Sequence, residues 1–143
     1  MEIETGDPVL DERLPRILPG TFFEVLGLRM TASDPNRITG ELYVEERHLN
    51  PGGQVHGGVI AGMADSLAGV GAQRNLPEPA RSFATIEMKV NLMGSARAGD
   101  TVSGVATPMH LGRTTQVWDV AIFNRARSEK PIGLFRCTQA VLT

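Results

Sequence analysis

From Gly57 to Gln73 the chain reads GGVIAGMADSLAGVGAQ, and this stretch decides the fold. It has the length of a helix, shows none of the alternation of a strand, and is apolar or small on every side. Gly62, Gly69 and Gly71 each weaken a helix by up to ~1 kcal/mol relative to Ala, so propensity does not hold this one together. It has to be stabilised by being wrapped, with its glycines admitting another backbone at close range. In its middle stands one acid, Asp65, with only Ser66 beside it as another polar side chain. Burying a carboxylate costs several kcal/mol unless it is paired. Asp65 therefore either reaches a rim or a partner Arg, or is a tuned catalytic carboxylate.

The segment before the helix bears on that choice. Arg47 to His56 carries Pro51, Gly52 and Gly53 and reads as a loop. His56-Gly57-Gly58 sits where loop becomes helix, so unpaired backbone N–H groups and the positive end of the helix dipole face the space there. Glycines at this point let a ligand carbonyl come within hydrogen-bond reach of the main chain, as an oxyanion site requires.

Further out, Ile38, Leu42 and Val44 alternate with Thr39, Glu41, Tyr43 and Glu45, which predicts a half-buried strand over Arg37 to Glu46. Phe22 to Met30 reads as a helix tail and a first strand. Val9 to Gly20, with Leu10, Leu14, Ile17 and Leu18 at helical spacing before Pro19-Gly20, reads as a short covering helix. Beyond a Pro-rich connection (Asn75 to Arg81) come four extended runs: Ser82 to Met93, Asp100 to Met109, Arg113 to Asn124 and Pro131 to Leu142. One long helix with no second helix to pack on, among this many strands, predicts an α+β domain in which an antiparallel sheet curls around the helix. No repeat or linker divides the chain, so residues 1–143 are expected to form one domain, with 1–20 as an N-terminal covering segment.

Composition narrows the function. Fourteen basic residues against sixteen acidic ones give a net charge of -2, and the arginines form no run, which argues against a nucleic-acid partner. The lone Cys137, the absence of an Asn-x-Ser/Thr acceptor and the acidic first residues (Glu2, Glu4, Asp7) predict a cytoplasmic protein. Val55 to Gln73 is nearly uncharged, yet its glycines, alanines and Asp65 make it a poor membrane span. Among His48, His56, His110 and Asp65 no pair has ligand spacing for a metal beyond His48 and His56 in a Gly-rich loop, no Gly-x-Ser-x-Gly elbow is present, and GVGAQR (Gly69 to Arg74) lacks the third glycine of a dinucleotide loop. No metal or redox cofactor is expected.

The segment HLNPGGQVHGGVIAGMADSLAGV (His48 to Val70) resembles the active-site signature of hotdog-fold acyl-CoA thioesterases, in the phenylacetate-degradation branch of the 4-hydroxybenzoyl-CoA thioesterase superfamily. That signature is an Asn, a short loop, His-Gly-Gly, and a helical acid eight residues after the first of those glycines. The resemblance continues through ATIEMKVNLMGSARAGD and HLGRTTQVWDVAIFN, covering essentially Phe22 to Leu142. It implies a hotdog fold and hydrolysis of an acyl- or aryl-CoA thioester to free acid and CoA. Carried over residue by residue, it implies that Asp65 is the general base or nucleophile and that the Gly57 N–H polarises the thioester carbonyl. Asn50 and His56 would orient the carbonyl and the loop, and the family's third-strand hydroxyl falls on Thr85, which would hold the attacking water. Arg113, Arg81 and Arg97 are candidates for the CoA phosphates.

Each assignment has a plainer counterpart. Asn50 before Pro51-Gly52 is an ordinary turn residue, and His56 an ordinary helix cap. In Ser82 to Met93 the apolar face carries Ala84, Ile86, Met88, Val90 and Leu92, while Thr85 falls opposite with Glu87, Lys89 and Asn91. If that apolar face covers the helix, Thr85 points away from Asp65, unless a bulge intervenes or the face packs sheet to sheet.

Helix geometry adds an independent expectation. Gly57 and Asp65 are eight residues apart, hence ~12 Å along one helix, yet both assignments require contact with one thioester group. Two antiparallel helices related by a two-fold axis satisfy this, so the site is expected between subunits of a homodimer or dimer of dimers, homotetramer included. Two other readings stand beside hydrolysis: a hotdog protein that binds acyl-CoA without turning it over, and an enoyl-thioester hydratase. The presence of Asp65 speaks against the first, and His56 lying before the helix speaks against the second.

Overall fold

The computed structural model describes residues 18–143, so the covering segment expected over 1–20 lies almost wholly outside the described residues. A one-turn helix α1 (Phe22–Leu26) ends at Gly27, whose positive φ of 71° is open to glycine at little steric cost. Two strands follow, β1 (Leu28–Asp34) and β2 (Arg37–Tyr43), then the long helix α2 (Gly57–Arg74). The remaining strands are β3 (Ser82–Leu92), β4 (Thr101–Leu111), β5 (Thr115–Asn124) and β6 (Gly133–Leu142). They form one antiparallel sheet in the order β1-β2-β4-β5-β6-β3, with β1 and β3 at its two edges.

The alternation read in β2 survives in the fold. Ile38 and Leu42 are fully buried and Tyr43 is exposed. Boundaries shift by a few residues. β1 runs on to Asp34, four residues past Met30, and β4 reaches Leu111 by absorbing an extra residue between Pro108 and His110. β5 and β6 each begin two residues later than their extended runs suggest.

Helix α2 lies across one face of the sheet and touches all six strands. It buries Ile60, Met63, Ala64, Leu67, Ala68 and Val70, and supplies much of the apolar core. Its approach is close because the register pairs Gly40 of β2 with Gly104 of β4, directly beneath Leu67. A Cβ on either glycine would fall 2.8 or 2.5 Å from a Leu67 methyl, so any side chain there would push the helix off the sheet.

The glycines of α2 itself admit aromatic rings instead of the expected second backbone. The ring of fully buried Trp118 sits on Gly71, the Phe83 ring on Gly69 and the Phe22 ring on Gly62. Trp118 is fixed in place by its Nε1–H, which donates to Gln116 Oε1 at 2.9 Å, while Gln116 Nε2 donates to the Asn75 carbonyl beyond the helix end. The helix is thus stabilised by flat side chains packed into notches in its own surface.

Candidate active site

The loop into α2 is a network of short-range hydrogen bonds. His48 is 3% exposed, its Nδ1 accepts the Glu45 N–H at 2.9 Å, and its carbonyl accepts the His56 N–H at 2.8 Å. Burial, with the neighbouring Arg47 charge, pulls the His48 pKa below the ordinary imidazole value. Asn50 closes the turn: its Oδ1 accepts from Gly52 N at 2.9 Å and Gln54 N at 3.3 Å. The carbonyl oxygen is therefore spent on the loop, and the Nδ2 amide is left without a hydrogen bond among the described residues.

His56 is the N-cap of α2. Its Nδ1 accepts the Gly58 N–H at 2.8 Å, and its carbonyl receives Val59 N at 2.9 Å and Ile60 N at 3.4 Å. Of the first four backbone donors of the helix, the Gly57 N–H is left without an acceptor among the described residues. A strong donor at the positive end of an 18-residue helix is thereby free for an anion or a polarised carbonyl.

Asp65 lies two turns further on and is half-buried. Ser66 turns back on its own helix, bonding the Gly62 carbonyl at 2.7 Å, and gives Asp65 nothing. The partner of Asp65 is Thr85, whose Oγ1 donates to Asp65 Oδ1 at 2.9 Å. Of the two orientations left open for Thr85, the structure takes the one that a bulge allows. β3 pairs Thr85 with Gln139 and then Glu87 with Thr138, leaving Ile86 as the extra residue, 62% exposed. The bulge switches the phase of the strand. Before it Phe83 and Thr85 meet α2, at Gly69 and Asp65; after it Val90 packs on the core and Leu92 covers Gly57.

Behind Thr85 stand two residues that the sequence did not single out for the site. Gln139 is fully buried, with its side chain 2.9 Å from Thr85 Oγ1 on one side and 3.3 Å from Cys137 Sγ on the other. The available signal was the alternation of β6, which puts Gln139 on the same inward face as Phe135 and Cys137. Burial first, and then the negative charge of Asp65, push the Cys137 thiol up to about 11. Cys137 stays a thiol near neutral pH and is no nucleophile.

The three arginines do not converge within one chain. Arg81 N bonds the Leu142 carbonyl, and Val141 N bonds the carbonyl of Thr114, next to Arg113, so Arg81 and Arg113 share the end of the sheet where β6 finishes. Arg97 lies near the opposite end, where Ala96 accepts Val55 N and the Arg97 N–H caps Asp100 Oδ2 at 2.9 Å. The 10 residues of β6 put ~30 Å between those ends.

Comparison with known proteins finds relatives along most of the chain. The profile of the Thioesterase superfamily matches residues 52–130. The 1,4-dihydroxy-2-naphthoyl-CoA hydrolase of Listeria monocytogenes is 32% identical over 118 residues, which is 82% of this chain and 93% of that protein. Its namesake in Escherichia coli is 31% identical over 113 residues, 79% of this chain and 82% of that protein. Among solved structures, a mutant thioesterase of Pseudomonas aeruginosa superposes with a TM-score of 0.83 at 27% identity over 99% of both chains. A thioesterase of Haemophilus influenzae gives 0.82 at 25% identity, covering all of this chain and 96% of that one.

Proposed function

This chain belongs to the Thioesterase superfamily and is a hotdog-fold hydrolase of acyl-CoA thioesters, and we propose that it works as a homodimer, or a dimer of dimers, in which two subunits build each active site together. The observation that carries this reading is a separation. The free Gly57 amide and the Thr85-bound Asp65 belong to one helix and stand ~12 Å apart along it.

Two further features support association. The α2 face bearing Asp65 is only half-covered, and its residues Ala61 and Ser66 are small enough for a second helix to approach. β3 is an 11-residue edge strand that exposes Ile86, Met88 and Leu92, a combination that invites pairing with a second copy of itself.

In this reading, one subunit supplies Asn50, His56 and Gly57 and the other supplies Asp65 and Thr85. The Gly57 N–H and the free Nδ2 amide of Asn50 polarise the thioester carbonyl, while His56 holds the helix start in shape. Thr85 holds Asp65 by one oxygen and leaves the other to take a proton from water. The water oxygen bonds to the carbonyl carbon, charge collects on the oxygen facing Gly57, and the C–S bond then breaks. The departing CoA thiolate recovers the proton from Asp65. Asp65 acts here as a general base; direct attack by its carboxylate is the other route open to the same residue. CoA is part of the substrate, and no metal or further cofactor enters. Arg81 and Arg113 are assigned the CoA phosphates, with Arg97 contributing only across a subunit boundary. Among the described residues no helix is long and apolar enough to cross a membrane, and a cytoplasmic place of work belongs to the same proposal.

Thiol release from phenylacetyl-, benzoyl-, hexanoyl-, palmitoyl- and crotonyl-CoA tests the reading, with loss of the enoyl absorbance followed on the last. Wild-type protein should release thiol from at least one of them. Asp65→Asn should lower kcat about 100-fold or more with KM little changed, because shape is kept and proton transfer is lost. Wild-type turnover in that variant would remove Asp65 from the chemistry. Enoyl loss without thiol release would make the protein a hydratase.

A further inference from the structure

Thr85 Oγ1 has one proton and two neighbours that want it. Asp65 Oδ1 and the Gln139 side-chain oxygen each lie 2.9 Å away. If the hydroxyl serves either one, a lone pair of Thr85 is pressed against a lone pair of the other, and fully buried Gln139 has no solvent to turn to. Meanwhile Gln139 Nε2 points at Cys137 Sγ, 3.3 Å off, the weakest acceptor in the neighbourhood.

Turning the Gln139 amide over about its last bond resolves every contact, since oxygen and nitrogen exchange places without moving any other atom. The Cys137 S–H then donates to Gln139 Oε1, Gln139 Nε2 donates to Thr85 Oγ1, and Thr85 Oγ1 donates to Asp65 Oδ1. The chain has a fixed direction because each end is committed. A thiol pushed up to about 11 keeps its proton, and an ionised carboxylate only accepts.

We propose that Gln139 is a positioning residue for hydrolysis: held by Cys137 from behind, it fixes the Thr85 hydroxyl proton on Asp65 and leaves the remaining Thr85 lone pair to orient the attacking water. That water then gives one hydrogen to Thr85 and the other to the free oxygen of Asp65, so its own lone pair is aimed outward at the carbonyl carbon. Without Gln139, the hydroxyl rotates freely and the water loses its second anchor. This inference rests on the assignment of Asp65 as the base, and the experiment separates the two.

The test is a double-mutant cycle between Gln139 and Thr85, with kcat and KM measured for each variant. Gln139→Met keeps the volume and removes both the amide oxygen and the amide nitrogen. It should lower kcat about tenfold with KM within about twofold of wild type. In a Thr85→Val background the same substitution should add less than about twofold, because Gln139 acts through a hydroxyl that is already gone. Gln139→Glu supplies a signature that loss of packing cannot imitate. Its carboxylic acid donates to Thr85 and its carboxylate does not, so its kcat should fall as pH rises through the introduced group's pKa, over a range where wild-type kcat does not. Equal slowing by Gln139→Met in both backgrounds, or wild-type kcat in Gln139→Met, would overturn the proposal. A Gln139→Glu profile parallel to wild type would also overturn it, and decides the matter should Gln139→Met fail to fold. If Asp65→Asn turns over like wild type, the failure lies in the assignment of the base instead.

Discussion

His56 Nδ1 accepts the Gly58 N–H at 2.8 Å, and this one bond leaves Gly57, not Gly58, as the free donor at the start of α2. The histidine is a helix cap in the structure. His56→Ser and His56→Asn, which put a capping oxygen in place of Nδ1, should therefore keep most of the melting temperature. His56→Ala should cost ~1 kcal/mol, with lower activity because the loop and the Gly57 amide lose their fixed geometry. Thermal melts and kcat for the three variants check this. Equal and severe loss of kcat in all three, with stability intact, would give the imidazole a chemical part of its own.

Gly71 and Trp118 make a prediction with two opposing terms. Alanine at position 71 would improve helix propensity by up to ~1 kcal/mol. Its Cβ would also lie 2.5 Å from the ring of a tryptophan that is fully buried and tethered through Gln116. Overpacking of this kind costs ~1–3 kcal/mol, and the ring has no room to yield, so the steric term wins. Gly71→Ala should lower the melting temperature by about 2–6 °C. A rise on differential scanning calorimetry would mean that the Trp118 ring moves more freely than its burial implies.

The contrast between Trp118 and Thr85 shows what the sequence could and could not reveal. A helix apolar on every side must be enclosed, and strands with clean alternation, such as β2, must lie on the enclosing sheet; both follow from composition and period. The orientation of Thr85 does not, because one extra residue at Ile86 reverses the phase of β3 while leaving its composition unchanged. The part of Gln139 was equally hidden. Alternation places it inward, but its significance comes from pairing with Thr85 across two strands 54 residues apart. The placement of the arginines was not legible either, since which end of a sheet a loop occupies depends on register, and register separates Arg97 from Arg81 and Arg113.

Stability should depend on pH through His48. Burial and Arg47 disfavour its cation, so the folded protein binds that proton less readily than the unfolded chain does. Above the ordinary value of 6.5 both states are neutral and His48 contributes no pH dependence. As pH falls below 6.5 the unfolded chain takes up the proton first, and stability is lost until the pH passes the lowered folded value. Asp100 acts in a lower window. The Arg97 N–H and Asn124 amide hold its carboxyl below the usual range, and that support disappears only as pH drops through the lowered value. Urea midpoints between about pH 7.5 and 5 should therefore fall for wild type and flatten in His48→Gln. An unchanged slope in that variant would assign the titration elsewhere.

The shared site makes the most exacting prediction. Asn50→Asp keeps the oxygen that closes the turn and removes the Nδ2 donor, whereas Asp65→Asn removes the base, so each homodimer should be nearly inactive. If Asn50 and Asp65 of one site come from different chains, a mixed dimer has one site with both lesions and one with neither. Random exchange puts about half of all dimers in the mixed state, so about one-quarter of all sites become intact and activity should return to roughly a quarter of wild type. Differently tagged chains, followed by native mass spectrometry, establish that exchange is complete before rates are compared. Complete exchange with no recovery would mean that Asn50 and Asp65 serve one site from a single chain. Because Asn50 closes the loop that ends at Gly57, the ~12 Å between Gly57 and Asp65 along α2 would then have to be spanned by the substrate itself.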